Sequence, residues 1–305
     1  MAIQPVSFRL YEVRFARFAE ALGASFERYG FAIVEDHGLD AGLIDRALAD
    51  AKALFALPDA TKRRYVVPGG ASQRGYTPFG VEAAKGARHA DLKEFWHVGR
   101  EPDPAGRGLV NVWPLEVPGF RSSVGLLYDA FEALGAKLLS ALAVHLGLGR
   151  DHFDAAIAGG DSILRLLHYP PLADAGAAIR AGAHEDINAI TLLLGAEEAG
   201  LELLDRDGRW LAVNPEPGAV VVNIGDMLQR LTNHRLPSTT HRVVNPAPER
   251  RGVARYSMPF FLHFEPDYRI ETLPGCVSAD APNRYPKPIT ARAYLAERLR
   301  EIRLA

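Results

Sequence analysis

An α+β fold with a mainly β core, a sandwich or jelly roll buttressed by helices, is predicted by three observations. Apolar residues recur at helical spacing through the first half of the chain, and short strand-like runs set off by turn residues fill the stretch beyond Asp161. No Ser/Gly linker, internal repeat or low-complexity tract separates the two halves. With 305 residues, 48% of them hydrophobic, the chain can bury a large core. It reads as one domain over 1–305: a helix and loop region to about 120, a β core over 160–265, and a last helix over 289–302.

The elements follow in order. Phe15, Phe18, Ala19, Leu22 and Phe26 form a helical stripe ended by Gly30, and Phe31-Ala32-Ile33-Val34 then reads as a buried strand. Asp40 is placed to cap the next helix, whose stripe runs from Leu43 to Phe55 and stops before Pro58. From Arg63 to Pro118, Gly, Pro, charged and aromatic residues without helical period predict loops and short strands, suited to walling a pocket. A long helix is predicted over 122–145, closed by Gly147. Strands are predicted at 163–169, 187–194, 201–204, 210–213, 219–224, 240–244 and 255–263.

Composition narrows the function. The net charge of −2, the pI near 6.6 and the lack of a Lys/Arg-rich block leave out the electrostatic footprint of a nucleic-acid binder, so a small molecule is the expected partner. Cys276, the single cysteine, excludes an intramolecular disulfide framework and fits a reducing compartment. No basic leader and no run of eighteen uncharged apolar residues occurs, so the expectation is a cytoplasmic protein with no membrane partner. The oligomeric state is not readable.

Three His-x-Asp triplets occur. His89-Ala90-Asp91 lies in the loop-rich region and His152-Phe153-Asp154 opens a helix, where Asp serves capping. His184-Glu185-Asp186 differs, because it enters the apolar run 187–194, where a two-residue period would turn His184 and Asp186 to one side and Glu185 away. His241, 55 residues after Asp186, starts another strand that closure of the β core could bring opposite. Two imidazoles and one carboxylate suit an oxygen-activating Fe(II) site, and zinc accepts the same donors. Further on, Arg255 and Ser257 share a strand face among Val253, Tyr256, Met258, Phe260 and Phe261. A guanidinium with a neighbouring hydroxyl matches the two oxygens of a carboxylate, and Tyr169 could add a phenolic donor.

Taken in order, these residues resemble the isopenicillin N synthase-like family of 2-oxoglutarate and Fe(II)-dependent dioxygenases. The resemblance covers nearly the whole length: Tyr29-Gly30-Phe31, Arg74-Gly75-Tyr76, Leu164-Arg165-Leu166, Tyr169-Pro170-Pro171, His184-Glu185-Asp186, Asn223-Ile224-Gly225-Asp226, Thr232-Asn233, His241-Arg242-Val243 and Arg255-Tyr256-Ser257. It implies a double-stranded β-helix (jelly roll) flanked by helices. It assigns Fe(II) to His184, Asp186 and His241, and the distal carboxylate of 2-oxoglutarate to Arg255 and Ser257 with Tyr169 assisting. It further implies consumption of O₂, conversion of 2-oxoglutarate to succinate and CO₂, and oxidation of a small organic molecule, most commonly hydroxylation. Where many members place Asn two residues before that tyrosine, this chain has Leu167. Family members that use no 2-oxoglutarate define an alternative, an Fe(II) oxidase drawing electrons from its substrate or from ascorbate. A non-catalytic metal-binding jelly roll is the other. Candidate substrate contacts are Arg74, Tyr76, Gln229 and Phe261, with Glu94, Trp96 and His97 nearby. If Arg74 faces a cavity, an anionic substrate follows, such as a small organic acid.

Overall fold

A computed structural model describes residues 3–69, 72–82, 90–102, 105–106, 108–171, 179–194 and 199–301. His89 of the first triplet and Ile302 at the end of the last expected helix lie outside the described residues. The chain begins with β1 (Val6–Ser7), α1 (Arg9–Val13), α2 (Phe15–Tyr29), β2 (Phe31–Glu35), α3 (Ala41–Phe55) and α4 (Asp59–Arg63). Two strands, β3 (Gly75–Thr77) and β4 (Glu94–Gly99), cross the loop-rich stretch, and α5 (Phe120–His145) and α6 (Asp154–Ile157) follow. The core strands are β5 (Ile163–Tyr169), β6 (Ala181–His184), β7 (Ile190–Leu194), β8 (Leu201–Leu204), β9 (Trp210–Ala212) and β10 (Val220–Ile224). After α7 (Asp226–Leu231) come β11 (His241–Val243), β12 (Arg255–Ser257) and β13 (Pro259–Leu262). The small pair β14 (Arg269–Ile270) and β15 (Ile289–Thr290) leads into α8 (Ala291–Glu301).

Among the described residues the larger sheet runs β1-β2-β10-β7-β13-β5-β4-β3, with β12 on β5, and the smaller one runs β6-β11-β8-β9. Strand alternation gives the larger sheet two different faces. On one, Val34, Trp96, Leu164, Leu192, Val222 and Phe260 join the core shared with α2, α3 and α5. On the other, Phe31, Ile33 and Val221 meet Leu201 and Leu203 of the smaller sheet, and Phe95, Leu167 and Tyr169 meet Ala181 and Val243. These strands are buried on both faces, so polar residues on the inner face must be satisfied inside the roll.

The local signals act as anticipated at the helix ends. Asp40 accepts from the Gly42 N–H at 2.7 Å and caps α3. Gly30 ends α2 at φ +66°, and a side chain there would also strike Thr239, 2.2 Å from its Oγ1. Three expectations need correction. The strand predicted at 187–194 begins at Ile190. The run 255–263 breaks at Met258, since Pro259 has no N–H with which to continue the ladder. β6 is absent from the predicted strands, because its Ala-Gly-Ala sequence carries no apolar alternation and it is defined only by pairing with β11.

Candidate active site

The two imidazoles meet because β6 and β11 pair antiparallel with His184 directly opposite His241. Their ring centroids are 4.4 Å apart. Asp186 arrives by a different route from the one anticipated: it lies off any strand, in the turn between β6 and β7. Contacts with the start of α7 hold that turn. The Asp226 N–H donates to the Asp186 carbonyl at 2.7 Å, and the Gly225 N–H donates to the Ala189 carbonyl at 2.9 Å. Gly225 is required here, since a Cβ would lie 2.1 Å from the Asn188 carbonyl oxygen. With the alternation broken, Glu185 does not turn away; it lines the cavity and accepts from the Thr240 hydroxyl at 3.0 Å.

The Nε2 atoms of His184 and His241 each lie 3.8 Å from Asp186 Oδ1, and one donor atom from each of the three residues falls within 4.8 Å of the others. Each Nδ1–H donates to a backbone carbonyl, His184 to Gly182 at 2.7 Å and His241 to Thr239 at 3.1 Å, which fixes the tautomer and leaves both Nε2 lone pairs free. The other oxygen of Asp186, Oδ2, accepts from Thr191 Oγ1 at 2.5 Å and from Asn223 Nδ2 at 2.8 Å. Thr191 and Asn223 are cross-strand neighbours on β7 and β10. Their roles escape the sequence reading, although each is a polar residue at an inner position of an otherwise apolar strand, and that is the available signal. Burial alone would raise the Asp186 carboxyl, but His241, His184 and these two hydrogen bonds hold it below the ordinary carboxylate range. Burial, then His241, pushes the His184 imidazole down to about 4, so that ring favours the neutral form.

Beside this triad opens a cavity of about 350 Å³. Its far wall carries a charged network that the sequence does not reveal. Lys93 Nζ pairs with Glu82 and Asp91, each at 2.8 Å, and Arg165 reaches the same Glu82 oxygen at 3.2 Å. Burial would lower the Lys93 ammonium, but Glu82 and Asp91 hold it well above its usual range. His97 donates from Nδ1 to the Ser72 carbonyl and accepts from Arg165 Nε at 2.6 Å, so it is neutral; burial first, then Arg165, lowers it well below the ordinary range. Arg165 also lies over the rings of Phe95 and Phe261, at 4.2 and 5.2 Å. Leu295, Arg298 and Leu299 of α8 close another side, and Arg298 reaches Asp226 at 3.2 Å.

Arg255 and Ser257 are buried on the inner face of β12, opposite Tyr169 and Leu167 of β5, and the Arg255 guanidinium sits 5.1 Å from the Tyr169 ring centroid. They do not line the cavity itself. Leu167, in the position that is Asn in many family members, packs with Phe95, Tyr169, Ala181 and Val243. Of the substrate candidates, the cavity takes in Phe261 and the neighbouring His97. Arg74 is directed elsewhere: it donates to the Gln73 carbonyl at 2.7 Å and lies flat on Gly99. The Tyr76 hydroxyl donates to Glu94, which pairs with Lys62 at 2.7 Å and with His168 at 2.7 Å on the helix side of the sheet, so neither Tyr76 nor Glu94 reaches the cavity. Trp96 is core, against Tyr65 and Phe120. Gln229 Oε1 accepts from the Ser238 N–H at 2.8 Å, a bond that ties α7 to the loop before β11.

Comparison with known proteins agrees with this arrangement. Residues 160–264 match the 2OG-Fe(II) oxygenase superfamily, and residues 6–116 match the N-terminal region described as non-haem dioxygenase in morphine synthesis. The 2-oxoglutarate-Fe(II) type oxidoreductase hxnY of Emericella nidulans is 34% identical over 290 residues, 90% of this chain and 82% of that protein. The proline hydroxylase buaE of Petromyces alliaceus is 33% identical, with 92% of each chain covered. A crystal structure of a 2OG-Fe(II) oxygenase family protein from Caulobacter crescentus superposes with a TM-score of 0.92 at 59% identity, covering 99% of both chains. A full-length Neurospora crassa protein crystallised in complex with alpha-KG superposes with a TM-score of 0.88 at 30% identity, covering 98% of this chain and 95% of that one. This chain therefore belongs to the 2OG-Fe(II) oxygenase superfamily and is an iron- and 2-oxoglutarate-dependent oxidoreductase with a jelly-roll core.

Proposed function

We propose that His184, Asp186 and His241 hold the Fe(II), that Arg255 and Ser257 with Tyr169 beside them bind the distal carboxylate of 2-oxoglutarate, and that the cavity receives a small organic molecule for hydroxylation. The observation that carries this reading is the convergence of two Nε2 atoms and one carboxylate oxygen, with every other polar atom of the three side chains already committed. Two neutral imidazoles and one carboxylate are the donor set that suits Fe(II) with positions left open.

Iron held by His184, Asp186 and His241 would supply O₂ activation, with 2-oxoglutarate giving two electrons and leaving as succinate and CO₂, one oxygen atom going to succinate and the other to the substrate. The protein supplies placement. Thr191 and Asn223 orient Asp186, and the carbonyls of Gly182 and Thr239 orient the rings. Arg255, buried among Tyr169 and the inner strand faces, offers a carboxylate a charge-assisted partner in a place where water competes weakly. The alpha-KG bound by the Neurospora relative supports the cosubstrate over an oxidase working without it, and thymine, bound by the same relative in another complex, supports a compact polar substrate. The buried, unpaired Cys276 supports a reducing compartment, in line with the cytoplasmic expectation.

Anaerobic addition of Fe(II) and 2-oxoglutarate should produce a weak visible absorption band, and His184→Ala should remove it. A protein that binds both without the band, or a His184→Ala variant that keeps it, overturns the assignment.

A further inference from the structure

His263 follows β13 and shares its inner face with Phe261 by the two-residue alternation, which brings both into the cavity beside the triad. The residue is only 6% exposed, and its backbone N–H is satisfied by Ser162 Oγ at 3.1 Å. Its ring is not satisfied: Nδ1 is buried without a hydrogen-bond partner, and no bond to the ring occurs among the described residues. The polar groups around it are occupied. Arg165 holds Glu82 and His97, Lys93 holds Glu82 and Asp91, Thr240 holds Glu185, and Oδ2 of Asp186 is taken by Thr191 and Asn223. Outside the triad, whose open donor atoms face one another, Glu82 Oε2 is the other buried lining side-chain atom without a bond among the described residues, but its carboxylate already carries two cations. A buried polar group is normally satisfied, so an open one at a binding cavity points to a ligand.

We infer that His263 is a specificity-determining residue, whose imidazole hydrogen-bonds a polar atom of the substrate and selects uncharged, heteroatom-bearing molecules over carboxylic acids. This rests on reading the cavity as the oxygenase's substrate chamber. Three observations set the chemical class. Both lining cations of the far wall, Lys93 and Arg165, are neutralised by carboxylates, so an acid would have to displace Glu82 or Asp91 to be paired. Phe261, Ile163, Leu295 and Leu299 offer apolar surface for the body of the molecule. Burial holds the His263 ring down to about 4, with Asp186 acting the other way, so at neutral pH it offers one donor and one acceptor and no charge.

The test uses the protein loaded anaerobically with Fe(II) and 2-oxoglutarate, so that the Arg255 site is filled, with three probes, thymine and benzamide as uncharged molecules and benzoate as the acid, and titrates each by anaerobic calorimetry. The unmutated protein should bind an uncharged probe more tightly than benzoate. His263→Ala should weaken that binding about tenfold, the size of one lost hydrogen bond, and His263→Asn, which keeps a donor and an acceptor, should recover part of it. Thermal unfolding and the anaerobic Fe(II)/2-oxoglutarate band should match the unmutated protein in both variants. Equal affinity in all three proteins, tighter binding of benzoate, or binding of none of the probes overturns the inference. A missing band in the unmutated protein counts against the metal and cosubstrate assignment instead, so the two failures are told apart.

Discussion

The two ends of the proposed active site, a metal end and a substrate chamber, are built by different rules. At the metal end, His184 and His241 face one another across paired strands, and Thr191 and Asn223, themselves cross-strand partners, fasten Asp186. At the chamber end, the wall is collected from distant pieces: Glu82 and Lys93 from the loop-rich stretch, Arg165 and Phe261 from neighbouring strands, and Leu295 and Arg298 from α8. Sheet register places the two imidazoles and the pair that fastens Asp186 while the start of α7 holds the Asp186 turn, and side chains that satisfy one another define the second end. On the proposed roles, the contrast implies that chemistry and selection can be altered separately. Changes at the metal end should abolish reaction, and changes in the wall should redirect or weaken it.

Asp186→Ala should have the largest effect. It removes a donor and strands Thr191 and Asn223, so iron content by metal analysis and succinate release should both fall to background. Arg255→Ala should separate cosubstrate from metal: titration of the anaerobic band should show 2-oxoglutarate bound about 10- to 100-fold more weakly, with iron content unchanged. Equal loss of both would break the division drawn here. Asn223→Ala should weaken iron about 10- to 100-fold, read by Fe(II) titration, because an oriented ligand loses its support. Gly225→Ala places a Cβ 2.1 Å from a backbone oxygen of the Asp186 turn, and should cost about 1–3 kcal/mol in thermal or denaturant unfolding. Arg298→Ala should be mildest. Its bridge to Asp226 is partly exposed, so the substrate KM should rise at most about fivefold, with iron and 2-oxoglutarate binding intact. A loss of iron on that change would show that α8 supports the metal end after all.

Much of this is legible in the chain. The strands Ile163–Tyr169 and Leu201–Leu204 have the predicted bounds, since apolar runs flanked by turn residues are local signals. The long helix starts at Phe120, two residues before the predicted 122, because Phe120 is buried against Trp96 and Trp113 and draws the first turn inward. The inner-facing placement of Arg255 and Ser257 follows from alternation alone. The Asp186 turn is not legible, because what holds it is the start of α7, about forty residues later. Arg74 shows the same limit: an arginine in a loop can be read from sequence, but its bed on Gly99 cannot.

What the sequence determined by itself is the list of donors and the period that sorts them onto faces, because side-chain alternation and helix capping depend on a few neighbouring residues. What only the tertiary structure decided is which donors meet. Strand register brings His184 to His241, and the α7 corner turns Asp186 toward them. The same folding pairs Lys93 and Arg165 with Glu82 while His263 stays uncommitted. Each of those outcomes depends on residues far apart in the chain competing for the same partners within a closed interior, and no local pattern encodes that competition.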